Sequence, residues 1–336
     1  MKPGLPAILS VIILALLLSA SGCTQKPSPQ VPVVYIVYGS EKGDLSYTDA
    51  AYRGLAAVQN ETPVIIREFV PRDFEGLPDL LNNTGAQQKP GMIITVGFQY
   101  AGFSRSLAGA HPDIHILAID QAGIGSDNLR AYEITSYGDS YLAGVLAASA
   151  SKTNHVGVIA GMQSDVLDQF LKGYEAGARS VNASIVIDQA YVRQNSTAGF
   201  SDPEEAGLIA ERMYLNGTDV IYTCAGYSNT GAFGAAAGTT GRYVIGTDSD
   251  QSPLGPGFVL ASAVKRVDRI VYSGVMEHLG GSFDGGNRVV GLSDGATGIV
   301  YNPHFISWNA TVSAHEAQAL DEEERFVRSR IPPVQR

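Results

Sequence analysis

The sequence predicts an α/β protein built as two doubly wound parallel-sheet lobes. Three observations carry that expectation. Short β-branched and aromatic runs alternate with segments of helical periodicity along the chain. The strand runs are apolar at nearly every position, as a parallel sheet covered by helices on both faces requires. The length of 336 residues exceeds a single core of about 150 residues, and the alternation divides into two units near Thr135–Asp139.

Val33–Tyr38 reads as the first buried strand, and Ser46–Asn60 as a helix whose apolar stripe is Ala50, Ala51, Leu55 and Val58. Strands follow at Val64–Arg67 and Met92–Val96, with helices at Asp73–Asn82 and Gln99–Ala110. Ile114–Ile119 and Ala131–Thr135 complete the first unit. The second opens with a helix at Asp139–Ser151, then a strand at Val156–Ala160 and a helix at Ser164–Val181. It continues with strand Ile185–Val192, helix Pro203–Asn216, strand Val220–Cys224, helix Ala232–Gly238 and strand Tyr243–Thr247. Val259–Val264 and Val267–Leu279 form a last strand–helix pair, and a charged helix lies within Val312–Ile331.

Composition narrows the function. Apolar residues make up 45% and charged residues 17%, a globular balance. With 23 Lys+Arg against 33 Asp+Glu the net charge is −10, which disfavours the cationic footprint that nucleic-acid binding needs. Two cysteines exclude a disulfide framework, and no cofactor or metal is expected. The six histidines are dispersed, and Pro112 between His111 and His115 argues against a shared helical face. No G-x-S-x-G elbow, Walker loop or early G-x-G-x-x-G is present, so an enzyme is not expected.

The first residues carry an address. Lys2, an apolar run from Leu5 to Leu18 and the small residues Ser19–Gly22 form a secretory signal pattern over 1–22. The run is shorter than the roughly 20 residues of a spanning helix. Ala20-Ser21-Gly22-Cys23 resembles a lipoprotein box, with Cys23 the lipidated residue; an uncleaved N-terminal anchor is the competing reading. Residues 23–32 form a polar, Pro-rich tether on the extracytoplasmic face of the cell membrane. Lobe 1 is assigned 33–136 plus 265–290, and lobe 2 is assigned 137–264 plus 291–336.

In doubly wound sheets, ligands bind beyond the carboxyl ends of the strands. The loops expected there are Gly39–Tyr47, Gly97–Tyr100, Asp120–Gly123, Gly161–Asp165, Ala225–Gly231, Asp248–Gln251 and Lys265–Asp268. Asp248 and Lys265 suit a vicinal diol. A carboxylate accepts from both hydroxyls and an ammonium donates to them, in bonds about twice as strong as neutral ones. A structural ion pair between lobes is the competing reading. Asp120 suits a ligand N–H, or a helix cap instead. Tyr227 offers a ring to a planar ligand, or merely covers a turn. Asp250 reads as a turn residue.

The same loops resemble a known family. Gly43-Asp44-Leu45-Ser46-Tyr47-Thr48 is similar to the D-x-S-F-N loop of the basic membrane protein family, which are substrate-binding lipoproteins of ABC importers. Val96-Gly97-Phe98 and Ala118-Ile119-Asp120 resemble its next strand ends, and Ser140-Tyr141-Leu142-Ala143-Gly144 its S-F-L-A-G helix start. Gly161-Met162, Phe170 and Gly173-Tyr174-Glu175-Ala176-Gly177 follow in family order. Gly246-Thr247-Asp248-Ser249-Asp250-Gln251 and Val264-Lys265-Arg266-Val267-Asp268 close the series, which spans Val33 to Val300.

The resemblance implies a type I periplasmic-binding-protein-like fold, with lobes joined by three crossover strands. It also implies capture of a small ligand, usually a purine nucleoside, for a membrane ABC permease. Tyr47 stands at the position resembling the family's stacking phenylalanine. The expected ligand-binding residues are Tyr47, Thr48, Phe98, Asp120, Tyr227, Asp248 and Lys265. Thr48 stands where an Asn is usual, and Gly226-Tyr227-Ser228-Asn229 replaces a Gly-Gly-Thr-Gly stretch. These departures fall on the base side, so base specificity is expected to have shifted while the ribose side persists. A tethered sensor with the same cleft, and a nucleoside-acting enzyme, are the alternative functions.

Overall fold

The computed structural model describes residues 30–70 and 89–330. The signal pattern, Cys23, most of the tether and the helix expected at Asp73–Asn82 lie outside these residues. Lobe 1 begins with β1 (Val33–Val37), α1 (Tyr47–Glu61), β2 (Ile65–Phe69), β3 (Met92–Val96), α2 (Ala101–Ala110), β4 (His115–Ile119) and β5 (Leu129–Ile134). Lobe 2 follows with α3 (Tyr137–Ala150), β6 (His155–Ala160), α4 (Asp165–Val181), β7 (Val186–Tyr191), α5 (Pro203–Leu215), β8 (Val220–Cys224), α6 (Asn229–Ala236), β9 (Tyr243–Asp248) and β10 (Val259–Lys265). The chain then returns to lobe 1 for α7 (Val267–Leu279) and β11 (Gly286–Val290). It ends in lobe 2 with β12 (Thr297–Tyr301), α8 (Asn309–Ser313) and α9 (Glu316–Arg330).

Each lobe holds a six-stranded sheet, ordered β11-β5-β4-β3-β1-β2 and β12-β10-β9-β8-β6-β7. All pairings are parallel except β12 against β10. The two orders are equivalent. In each, the first strand lies between the second and the third, so the winding reverses between β1 and β3 and between β6 and β8. Those reversals open a crevice at the strands' carboxyl ends.

Both faces of each sheet are covered. Val34, Ile36, Ile94 and Leu117 pack beneath Leu55 of α1 and Val271 of α7, while Tyr35, Ile93 and Ile116 face Leu107 of α2. In lobe 2, Val158 and Tyr222 meet Leu146, Phe170 and Tyr174, and Ile159, Ile221 and Val244 meet Ile209 and Phe233. Two-sided burial explains the near-continuous apolar strands.

The α3–α4 pair is drawn close by glycine. A Cβ at Gly144 would overlap the Tyr174 carbonyl, and one at Gly177 the Tyr141 carbonyl. Two strands were absent from the expected elements. β11 and β12 are sheet-edge strands with largely half-exposed residues, and their apolar runs are short, Val289-Val290 and Ile299-Val300-Tyr301. The chain passes between lobes three times: at Thr135–Ser136, at Lys265–Arg266, and between β11 and β12. Thr135 N–H donates to Val290 O at 2.8 Å and Arg266 N–H to Ala296 O at 2.8 Å, which ties the passages into one hinge.

Candidate functional site

The crevice between the lobes is a cavity of about 90 Å³. Lobe 1 supplies Gly39 and Ser40 after β1, Phe98 and Gln99 after β3, Asp120 after β4, and Asp44 and Tyr47 at the start of α1. Lobe 2 supplies Phe170 from α4, Phe200, Cys224 from β8, Asp248 from β9 and Lys265 from β10. Both switch points therefore open onto one space. Its volume is below the roughly 300–1,000 Å³ of small-molecule pockets, so the lobes are closed upon it.

The α1 entrance is set by reciprocal capping. Asp44 accepts from the N–H groups of Ser46 at 2.9 Å, Thr48 at 2.8 Å and Asp49 at 3.0 Å. Asp49 in turn accepts from Gly43 N–H and Leu45 N–H. These bonds satisfy helix-start donors and fix the direction of Tyr47 and Ser46. Burial raises the Asp44 pKa against the three bonds that lower it.

Lys265 Nζ donates to Asp120 Oδ2 at 2.8 Å across the lobes, with side-chain exposures of 2% and 6%. Burial pulls the ammonium pKa down, but the Asp120 and Asp248 carboxylates outweigh it and the net shift is upward. The ammonium also sits 5.1 Å from the Phe170 ring centre and 5.7 Å from that of Tyr47, within cation–π range. Asp248 Oδ2 accepts from Ser46 Oγ at 2.7 Å. Burial pushes the Asp248 pKa up to about 6, although Lys265 and the Ser46 bond draw it down.

Asp120 and Asp248 occupy equivalent posts, at the carboxyl end of the fourth strand of each lobe. Both adopt left-handed backbone, φ +59° and +64°. Only a few per cent of non-glycine residues do so, and such strain gathers at functional sites. A polar seam runs alongside them. Ser249 Oγ donates to Ser46 O at 2.7 Å, Arg53 Nη2 to Ser249 Oγ at 2.8 Å, and Gln251 Nε2 to Leu45 O at 3.1 Å.

Five of the seven expected ligand-binding residues meet here: Tyr47, Phe98, Asp120, Asp248 and Lys265. Thr48 is not on the wall. It is buried with Oγ1 at 2.6 Å from Ser40 Oγ, one layer behind the cavity. Tyr227 is also absent from it, 42% exposed on a turn that Gly226 begins with φ +57°. Phe200 takes the lobe 2 wall instead, seated where a Cβ on Gly161 would overlap its ring. Asp250 closes a turn by accepting from Ser252 N–H and Oγ. Sequence reading did not name Asp44, Phe170, Phe200 or Ser46 as site residues. Asp44, Ser46 and Phe170 did stand inside the quoted motifs, whereas Phe200 carried no signal.

The chain is similar to known proteins over nearly its whole described length. The family described as "ABC transporter substrate-binding protein PnrA-like" matches residues 31–332. Basic membrane protein A1 of Borrelia garinii subsp. bavariensis is 31% identical over 303 residues, 86% of this chain and 85% of its own. The ABC transporter nucleoside-binding protein BmpA of Lactococcus lactis subsp. cremoris is 31% identical over 304 residues, 84% of this chain and 85% of its own. A solved ABC transporter system solute-binding protein from Aeropyrum pernix K1 shares the fold with a TM-score of 0.74 at 25% identity, covering 88% of this chain and 86% of that one. With two α/β lobes, a cavity between them and a family match over nearly its whole described length, the chain belongs to the PnrA-like family of ABC transporter substrate-binding proteins.

Proposed function

We propose that the protein captures an uncharged nucleoside, a purine nucleoside foremost, and delivers it to an ABC permease from the extracytoplasmic face, tethered through lipid on Cys23. One observation carries the ligand class. A carboxylate and an ammonium, Asp248 and Lys265, end adjacent strands of the same sheet in a cavity walled by Tyr47, Phe98, Phe170 and Phe200. That combination matches a diol beside a planar ring. Stacking contributes roughly 1–3 kcal/mol per base. Asp44, Asp120 and Asp248 outnumber the single cation of the wall, so a phosphate would meet net negative charge.

The name of the Lactococcus relative supports the nucleoside reading. With Thr48 behind the wall, Asp120 and the Gln99 amide are the groups left to read a base edge. No chemical step is part of this reading. No helix among the described residues is long and apolar enough to cross a membrane. Calorimetry with inosine, guanosine, adenosine, uridine and ribose tests the proposal. Purine nucleosides should bind most tightly; silence from all four nucleosides at high micromolar concentration would overturn it.

A further inference from the structure

Away from the cavity wall, one buried carboxylate sits where the interlobe passages meet. Glu323 of α9 is 4% exposed. Its Oε1 accepts from Gly138 N–H at 3.0 Å and its Oε2 from Leu292 N–H at 3.0 Å. Gly138 lies in the first turn of α3, just past the first passage. Leu292 belongs to the third. The niche is shaped for this group, because a Cβ at Gly138 or Gly291 would come within 2.9 Å of the carboxylate oxygens.

The same stripe of α9 continues toward the other lobe. Phe326 stacks on Tyr137 with ring centres 4.7 Å apart and planes at 22°. Arg330 Nη1 donates to Glu133 Oε1 of β5, in lobe 1, at 2.5 Å. Ala319, Glu323, Phe326 and Arg330 are spaced as one helical face. Ala319 and Phe326 anchor that face to the lobe 2 core. Arg330 and Glu133 border a chamber of about 310 Å³ that shares Phe98, Asp120 and Val166 with the ligand cavity.

We propose that α9 is a strap and Glu323 a positioning residue: by holding two of the three passages in the closed geometry, it sets the balance between closed and open lobes, and through that balance the affinity of the cavity. Charge-assisted bonds to backbone N–H groups are strong, and separating them strands a buried carboxylate. Lobe opening must turn the passages against each other, so it works against Glu323. Arg330 adds a second hold on lobe 1. Only the affinity part rests on the cavity being the ligand site; the lobe balance does not.

Glu323→Gln and Arg330→Met, in the full chain, test the strap. Glutamine keeps the size of the side chain but presents an amide N–H to one of the two backbone donors. Small-angle scattering of ligand-free protein should show a larger radius of gyration for each variant than for wild type, more so for Glu323→Gln. Guanosine affinity, read by calorimetry, should rise about 5- to 10-fold, because the closed cavity has no room for a nucleoside and each variant populates the form that admits one, with a thermal midpoint shifted far less than the affinity. A lowered midpoint with unchanged radius of gyration and affinity would mean that Glu323 only stabilises the fold, and would overturn the proposal. If wild type binds no guanosine, the scattering comparison still decides the strap, and only the nucleoside reading falls.

Discussion

Asp248 brings the site's chemistry down to one proton. Its folded pKa of about 6 lies above the ordinary carboxylate value, chiefly because it is buried. Stability from this group is therefore fully present below the unfolded pKa near 4 and is lost as pH rises through about 6. Wild type should lose up to about 3 kcal/mol through this one group between pH 4 and pH 7, and Asp248→Asn should flatten that part of a urea-denaturation pH profile. Ligand binding has the opposite dependence, since the ionised form is the acceptor for hydroxyls. Guanosine affinity should fall as pH drops below 6, and Asp248→Ala should weaken binding by about 1.5–3 kcal/mol at pH 7.5 by calorimetry. Unchanged affinity in that variant would place the sugar elsewhere. At this scale the sequence was partly legible. Asp248 and Lys265 end apolar runs, which marks them as strand-end groups. The bond from Lys265 to Asp120, 145 residues away, had no local sign, because register between lobes decides it. The outward turn of Tyr227 depends on the backbone at Gly226, and the retreat of Thr48 on its bond to Ser40.

Among the elements, α3 and α4 show how a motif can be legible without its purpose. Gly144, Gly173 and Gly177 stood in the quoted family segments, yet they serve helix packing and not the ligand. A methyl group at Gly177 would overlap the Tyr141 carbonyl. Gly177→Ala should destabilise the fold by about 1–3 kcal/mol in urea denaturation, the usual range for overpacking. A neutral result would mean that the helices slide apart freely. The junction of β4 and α7 carries a second pH response. His115 Nδ1 lies 2.9 Å from His278 Nδ1, and burial, then the neighbouring imidazole, pushes the His278 pKa down to about 4. Its stability contribution is present above about 6.5 and is lost as pH falls through 4, opposite in sign to that of Asp248. His278→Leu should therefore make the profile between pH 6.5 and 4.5 less acid-sensitive. The inner strands were readable because two-sided burial leaves longer apolar runs; in β11 and β12, half-exposed at the edges, only Val289-Val290 and Ile299-Val300-Tyr301 remain.

For the whole molecule, closure governs access. The cavity is too small for a nucleoside while Lys265 and Asp120 remain bonded and the Ser46–Ser249 seam is shut. Entry must follow opening. Stopped-flow fluorescence with guanosine should give an observed rate that levels off at high ligand concentration, at the opening rate. A rate that keeps rising in proportion to ligand would show that the open form predominates. The two-lobe division was legible from length and alternation, but the closed state was not. It depends on seam contacts between segments about 200 residues apart, each made of ordinary polar residues.

The matched strand orders have one more consequence. Asp120 and Asp248 face the cavity from corresponding corners, like two halves of a rotational pair, but the lysine that ends β10 has no twin: β5 ends in Ile134. A guest molecule thus meets near-duplicate acids and a single odd cation. That oddity gives the chamber a polarity, and with it one way round for whatever it holds.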